Sequence, residues 1–377
     1  MKSHLSLALV GLTFIGCMGC GDKQADAVKT YSEIVLASYE DSLSTAQALQ
    51  AAADALVATP SEATLQAAKD AWLASRVPYL QTEVYRFYDG PIDNATDGPE
   101  GMLNAWPLDE HYIDYTTEDA TAGIINGDQT IDAASLRDLN EKDGDANIAT
   151  GYHAVEFLLW GQDLSETGPG ARPHTDYLDG AANYERRGLY LKTAAAMIVE
   201  DLQTLVNAWK VDATYRKDIE DAESKEGVRR IMTGMIVLSG FETGGERLKT
   251  AYDNMDQEDE HSCFSDNTHV DMIEDVRGVQ NVWLGSYTRV DGSKVEGPSL
   301  KDAIADVDSA LADRLTSEIA DSLAKANDLP TPFDQAIASG NDAGRAKVMA
   351  LITALRTQEA TLEEIFQLLE LTIPQPE

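Results

Sequence analysis

At 377 residues the chain is too long for one small core and suits two domains of ordinary size. Its 65 acidic side chains outnumber 29 basic ones, giving a formal net charge of −36 spread along the sequence rather than held in a tail. Such a surface repels polyanions, so nucleic acid is excluded as a partner.

The N-terminus reads as an export signal. Lys2 supplies a positive start, and Leu5 to Gly16 form an uncharged apolar run too short for a permanent bilayer span. The run ends in Phe14-Ile15-Gly16-Cys17, similar to a bacterial lipobox except that Phe14 stands where Leu is usual. Cys17 is therefore the expected lipidation site, with Cys20 its competitor. On this reading residues 1–16 are a removed signal, 17–29 a tether, and the membrane is reached only through a lipid anchor. Cys263 is the one cysteine of the folded body, so helix packing rather than disulfides must hold the core.

From Val28 to Leu56 the apolar residues recur at the helical repeat, which predicts one helix with a single buried stripe. Thr59-Pro60-Ser61-Glu62 reads as a new start, with Thr59 as N-cap, Pro60 in the first turn and Glu62 closing a capping box. That second helix is expected to carry Trp72, Arg76 and Glu83 and to stop before Asp89. Residues 89–150, rich in Gly, Asp, Asn and Pro, are expected to hold only short helices, and a connection of that length is more often functional than idle. Helical patterning returns at about 149–159, 183–210, 226–255, 269–288, 299–327 and 342–371. Strand alternation is nearly absent. The expectation is an all-α protein of two similar four-helix bundles, residues 30–215 and 216–371. Asp109-Glu110-His111 recurs as Asp259-Glu260-His261, each followed by a helix opening near a glycine (Gly151 and Gly278), a hint of duplication.

Beyond the leader, every histidine falls in two windows, His111, His153 and His174 in one and His261 and His269 in the other. The sharpest segment is Gly151-Tyr152-His153-Ala154-Val155-Glu156-Phe157-Leu158-Leu159-Trp160-Gly161-Gln162-Asp163. On a helix His153 and Glu156 share a face, and an imidazole beside a carboxylate can bind one metal ion, with ligands from elsewhere completing the shell. Neither His-Glu-x-x-His nor its inverted form occurs, because Phe157 stands where the second histidine would be. Trp72, Trp106 and Trp160 read as core residues, and Cys263 as a small buried one.

The 151–163 segment resembles the signature of imelysin-like proteins, also called the insulin-cleaving membrane protease or iron-regulated protein A family. Further matches are Glu100 to Glu110, Tyr112 to Tyr115, Arg172-Pro173, Thr175 to Tyr177, Gly245 to Arg247 and Glu258 to His269; together they span about residues 30–370. The resemblance implies two helical bundles with a cleft between them. It also implies that His153 and Glu156 form a metal pair completed by Glu83 and Asp109. Glu246, Arg247, His261, Ser265, Asp266, Asn267 and His269 would line the cleft from the second half, with Arg76 and Glu110 joining from the first. The function so implied is capture of iron, or of an iron-bearing ligand, at the cell envelope in concert with other iron-uptake proteins; zinc or another divalent ion fits the same donors. A metallopeptidase and a lipid-tethered protein-binding scaffold are the alternatives.

Overall fold

The computed structural model describes residues 22–371 apart from residue 166. The expected signal segment, Cys17 and Cys20 lie outside the described residues.

Helix α1, Lys23–Ala58, opens where the Asp22 carboxylate accepts from the backbone N–H groups of Gln24 and Ala25. It therefore starts inside the stretch expected as a tether. Its buried stripe runs through Val28, Tyr31, Val35, Tyr39, Leu43, Ala46, Leu49, Ala53 and Leu56, as the apolar spacing predicts. Helix α2, Glu62–Leu80, is capped two residues later than expected. Ser61 and Thr64 bond each other's backbone N–H reciprocally, while Thr59 instead closes α1 by donating to Ala55. It also ends earlier, at Leu80. Pro78 brings no N–H to the last turn, and Thr82 bonds the Tyr79 carbonyl through both its N–H and its hydroxyl. Glu83 thus falls on a separate 3₁₀ turn, Glu83–Tyr85.

Residues 89–150 hold only short helices, among them Glu100–Leu103 and Glu110–Ile113. The chain then enters α3, Gly151–Trp160, in which every residue is buried. Gly151 has φ +84°, and a Cβ there would sit 2.6 Å from the Leu103 carbonyl, so no other residue fits that entry. Helix α4, Tyr184–Trp209, packs on α3 and α1 and completes the first bundle.

The helix expected over 226–255 is α5, Ser224–Ile236, which widens into a π-helical stretch at Val237–Arg247. Helix α6, Thr268–Leu284, runs into a small antiparallel hairpin, Ser286–Thr288 with Lys294–Glu296. Helices α7, Ser309–Asn327, and α8, Asp342–Leu368, follow and pack with α5, the π stretch and α6 as the second bundle. The bundles join where α1 meets α5 and α2 meets α6. At the second contact Gly278, in mid-helix rather than at a helix opening, lets α6 approach so closely that a Cβ would stand 2.6 Å from the Gln81 carbonyl. One apolar core runs through both bundles, and a smaller one around Leu248, Met272, Phe333 and Leu355 belongs to the second alone. The seam is therefore packed over most of its extent, and many polar groups inside it are buried.

Candidate functional site

Four segments meet at that seam: α2, the loop at 104–107, α3, and the 256–268 loop with α6 behind it. Each presents polar side chains to a region where burial should favour apolar ones.

On α3, His153 and Glu156 are three residues apart with no side-chain exposure, and His153 Nδ1 lies 2.9 Å from Glu156 Oε2. The two residues expected to grip one ion together are thus hydrogen-bonded to each other. The other Glu156 oxygen accepts from the Ser265 N–H at 3.0 Å and the Ser265 hydroxyl at 2.6 Å. Burial pushes the Glu156 carboxyl up to about 8, which Ser265 and the Arg76 guanidinium only partly offset. Burial likewise drives His153 well below the usual histidine range, helped by His261 and Arg76. His153 Nε2 is buried without a hydrogen-bond partner.

His261 repeats the arrangement from the other half. Its Nδ1 lies 2.7 Å from Asp271 Oδ2, which also accepts from the Ser262 hydroxyl at 2.5 Å. Asn267 donates to the other Asp271 oxygen at 3.3 Å, and Arg76 Nη2 stands 3.5 Å from Asp271. With so many donors around it Asp271 is the acceptor, and His261 carries its proton on Nδ1. The two imidazole rings stand 4.9 Å apart, edge to face, and Trp106 lies tilted 4.9 Å from His153 and edge-on 6.5 Å from His261. Arg76, fully buried between the rings of Trp72, Tyr79 and Tyr152, donates to Asn104 at 2.6 Å.

Beside this pair lies an arginine–carboxylate network. The π stretch brings Arg247 to Glu83, to Asp275 at 2.9 Å and to Glu242 at 3.0 Å. Arg86 bonds Glu83 at 2.8 Å and Glu100 at 3.1 Å. Burial raises the Glu83 carboxyl, but the two guanidiniums overcome it and hold the group near about 2. A cavity of about 340 Å³ opens over both networks, walled by Asn104, Trp106, Arg86, Arg247 and His261 among others.

Of the residues expected here, Arg76, His153, Glu156, Arg247, His261, Ser265 and Asn267 are brought together. Glu83 is present too, but its oxygens serve arginines rather than the His153–Glu156 pair. Asp109 stands apart: half-exposed, it caps the turn Glu110–Ile113 by accepting from the His111 N–H at 3.0 Å. Glu110 accepts from Gln162 at 2.5 Å, and Glu246 is an exposed residue on the cavity rim. Asp266 sits on a left-handed turn at φ +56°, and His269 is half-buried with Nδ1 unpartnered. The Asp-Glu-His repeat does not place equivalent groups, for His111 is exposed and bonds Thr116 while His261 is buried. Trp72 is core, as expected, but Trp106 is a cavity wall packed against the two histidines. Asn104, Asp271 and Asp275 escaped sequence reasoning. The signal was there for the last two: they lie one helical turn apart beside the apolar positions Met272 and Val276 of α6, where a solvated acid has no place.

Two helical bundles sharing a core, with paired histidine–carboxylate units buried at their seam, define the class of protein. The chain belongs to the imelysin family, whose model matches residues 35–362. It is 24% identical over 362 residues to iron-regulated protein A of Synechococcus elongatus, covering 93% of this chain and 90% of that protein. Among solved structures it resembles one from Parabacteroides distasonis, named after iron-regulated protein A precursors, with TM-score 0.70 and 21% identity over 93% of this chain and 97% of that one. An imelysin-like protein from Psychrobacter arcticum gives TM-score 0.65 at 13% identity, with the same coverage. These structural likenesses show the shared fold.

Proposed function

We propose that the chain is an exported envelope protein that takes iron, as a cation, into the cleft beneath Trp106 and serves iron acquisition. The observation that carries this reading is the pair of imidazoles meeting edge to face, each tied through Nδ1 to a buried carboxyl group, with His153 Nε2 buried and unpartnered. A histidine so tethered is oriented as metal-binding histidines are, and imidazole with carboxylate suits iron or zinc better than calcium or copper(I).

The charge of the cleft supports a cation over an anionic chelate. Glu100, Glu141, Glu242, Glu246 and Asp259 line it against Arg86 and Arg247, and both guanidiniums are already bound to carboxylates. Among the described residues no three His, Cys, Asp or Glu side chains converge as a ready-made ion cage. The cargo is therefore an ion that keeps part of its own ligand shell, with His153 and His261 supplying nitrogen. The name of the Synechococcus relative supports a link to iron, and the lipobox-like leader supports export.

Calorimetry of the mature protein with ferrous iron, kept anaerobic, and with zinc tests this reading. Saturable binding should weaken in His153→Ala and in His261→Ala, with thermal unfolding confirming that both variants fold. Equal uptake by all three proteins would sink it. The peptidase reading needs a carboxylate poised on a metal-bound water, whereas the Glu156 oxygens are engaged by Ser265 and His153. Chelator-sensitive cleavage of a peptide library, lost in Glu156→Gln, would reverse this ranking.

A further inference from the structure

We propose that the pocket at the C-terminal end of α3 is a second ligand site, one that takes a small organic carboxylate with a flat apolar body. It shares no lining residue with the histidine cleft and does not depend on what the cleft binds.

The pocket forms because the chain folds back on itself after α3. Gly161 closes the helix at φ +71°, and the Arg172 N–H then donates to the Trp160 carbonyl at 2.7 Å, which lays 169–173 alongside the helix end. Gly170 permits that approach: a Cβ there would stand 2.7, 2.8 and 2.9 Å from the carbonyl oxygens of Trp160, Gly161 and Gln162. Tyr115 and Thr117 supply the remaining wall. The enclosed volume is about 360 Å³. That lies at the small end of the roughly 300–1,000 Å³ that ligand pockets span.

The lining has two characters. Trp160, Tyr115, Pro169 and Pro173 present flat apolar surface, and Leu164, 65% exposed, stands at the rim. The charge is of one sign. No aspartate or glutamate lines the pocket, and its one charged residue is Arg172. This is unusual for a chain of 65 acidic and 29 basic side chains, whose histidine cleft alone is lined by five carboxylates. Lys69 adds positive charge 5.1 Å over the Trp160 ring, and no carboxylate pairs with it among the described residues.

Arg172 also carries the atom that lacks a partner. The residue is 6% exposed, and its Nη1 donates to Asp114 at 2.8 Å and to Asp176 at 3.2 Å, yet its Nε–H is buried with no acceptor. Arg187 also bonds Asp114, at 2.7 Å, so those carboxylates serve two guanidiniums, and neither lines the pocket. Gly161, in the pocket wall, stands beside the unused donor: a Cβ at 161 would lie 3.6 Å from Arg172 Nε, so the glycine keeps that space open. A buried donor without an acceptor is costly, and a ligand oxygen drawn against Arg172 relieves it. Ser165, on the same wall, accepts from the Thr167 N–H at 3.1 Å and has its own hydroxyl proton to offer a second ligand oxygen. One guanidinium edge and one hydroxyl suit a singly charged carboxylate; a phosphate dianion would bring more acceptors than the wall has donors. The rings of Trp160 and Tyr115 then receive the flat part of the ligand.

The test is an NMR titration of the mature protein, following the Trp160 side-chain N–H signal, assigned with Trp160→Phe. Sodium benzoate is the probe and benzamide its neutral isostere. Benzoate should shift that signal saturably and bind at least about tenfold more tightly than benzamide, the margin of a charge-assisted hydrogen bond. Leu164→Glu places a negative charge on the exposed rim without touching the core. It should weaken benzoate about fivefold, the effect of like charges a few ångströms apart in water, and leave benzamide unchanged. Arg172→Gln should abolish the preference for benzoate; if thermal unfolding shows that variant misfolded, Leu164→Glu decides alone. No saturable shift, equal affinity for the two probes, or benzoate binding indifferent to Leu164→Glu would overturn the proposal. His153→Ala should leave the titration unchanged, and loss of benzoate binding there would place the carboxylate in the histidine cleft and refute a separate pocket.

Discussion

Arg247 is the residue whose removal most directly tests how the two halves are held. It is 4% exposed and ties Glu83, from the first half of the chain, to Asp275 and Glu242 of the second. Arg247→Met keeps most of the side-chain length, so the loss is electrostatic rather than a cavity. It leaves Asp275, 1% exposed, with only the Thr243 hydroxyl at 2.9 Å, and leaves Glu83 to Arg86 alone. Removing one partner of a buried ion pair typically costs about 3–5 kcal/mol, because the other charge stays buried without compensation. Asp275→Asn should cost less, since Arg247 retains Glu83 and Glu242. The double variant should fall short of the summed losses by about 1–3 kcal/mol, the coupling expected of direct contacts. Urea unfolding at pH 8 and pH 5 measures all of this, and the Arg247→Met deficit should shrink at the lower pH as the stranded carboxylates take up protons. A deficit below about 1 kcal/mol, or one unchanged with pH, would refute the view that the seam is held by compensated buried charge.

Glu83 predicts an acid limb of stability. Its folded carboxyl is depressed from the usual 4.5 to about 2, so its contribution is whole above 4.5 and is lost as pH falls from 4.5 through 2. That depression is worth about 3 kcal/mol, and Glu83→Gln should flatten the melting-temperature profile in that window; an unchanged profile would count against the pairing. Gly278→Ala should destabilise by about 1–3 kcal/mol by forcing α6 off the Gln81 carbonyl, seen as a lower urea midpoint. Asp109→Ala should cost about 1 kcal/mol as a lost cap and leave metal uptake unchanged in calorimetry; weakened uptake would restore Asp109 to the site.

The long helices were legible because burial imposes a period on them. The stripe from Val28 to Leu56 in α1 is buried as its spacing predicts, and the all-α reading holds throughout the described residues apart from one small hairpin. What escaped lies where local rules compete. The α2 cap fell on Ser61 because a reciprocal bond with Thr64 was available, and Thr59 had already been used to end α1. The π stretch at Val237–Arg247 carries no period that distinguishes it from an α-helix, yet it decides where Arg247 points. In the candidate site, the 151–163 segment located His153 and Glu156, and the family motifs located Arg247, His261 and Ser265. Asn104 acts only through Arg76, distant in sequence, so no local pattern marks it, whereas Asp271 is marked only by standing beside the apolar positions of α6.

The position of the site explains why its polar groups stand out so sharply. Replacing a buried ionic network with apolar side chains of equal volume is often neutral or stabilising, so stability alone does not account for arginines, histidines and carboxylates in a continuous apolar core. Around Arg247 the network is closed: each of its carboxylate partners is met at hydrogen-bond distance or closer. The group proposed above to meet a ligand is open: His153 Nε2, beside Trp106, is buried without a hydrogen-bond partner. Compensation thus distinguishes Arg247, whose carboxylate partners help hold the fold, from His153, whose open nitrogen is the feature on which the binding proposal rests.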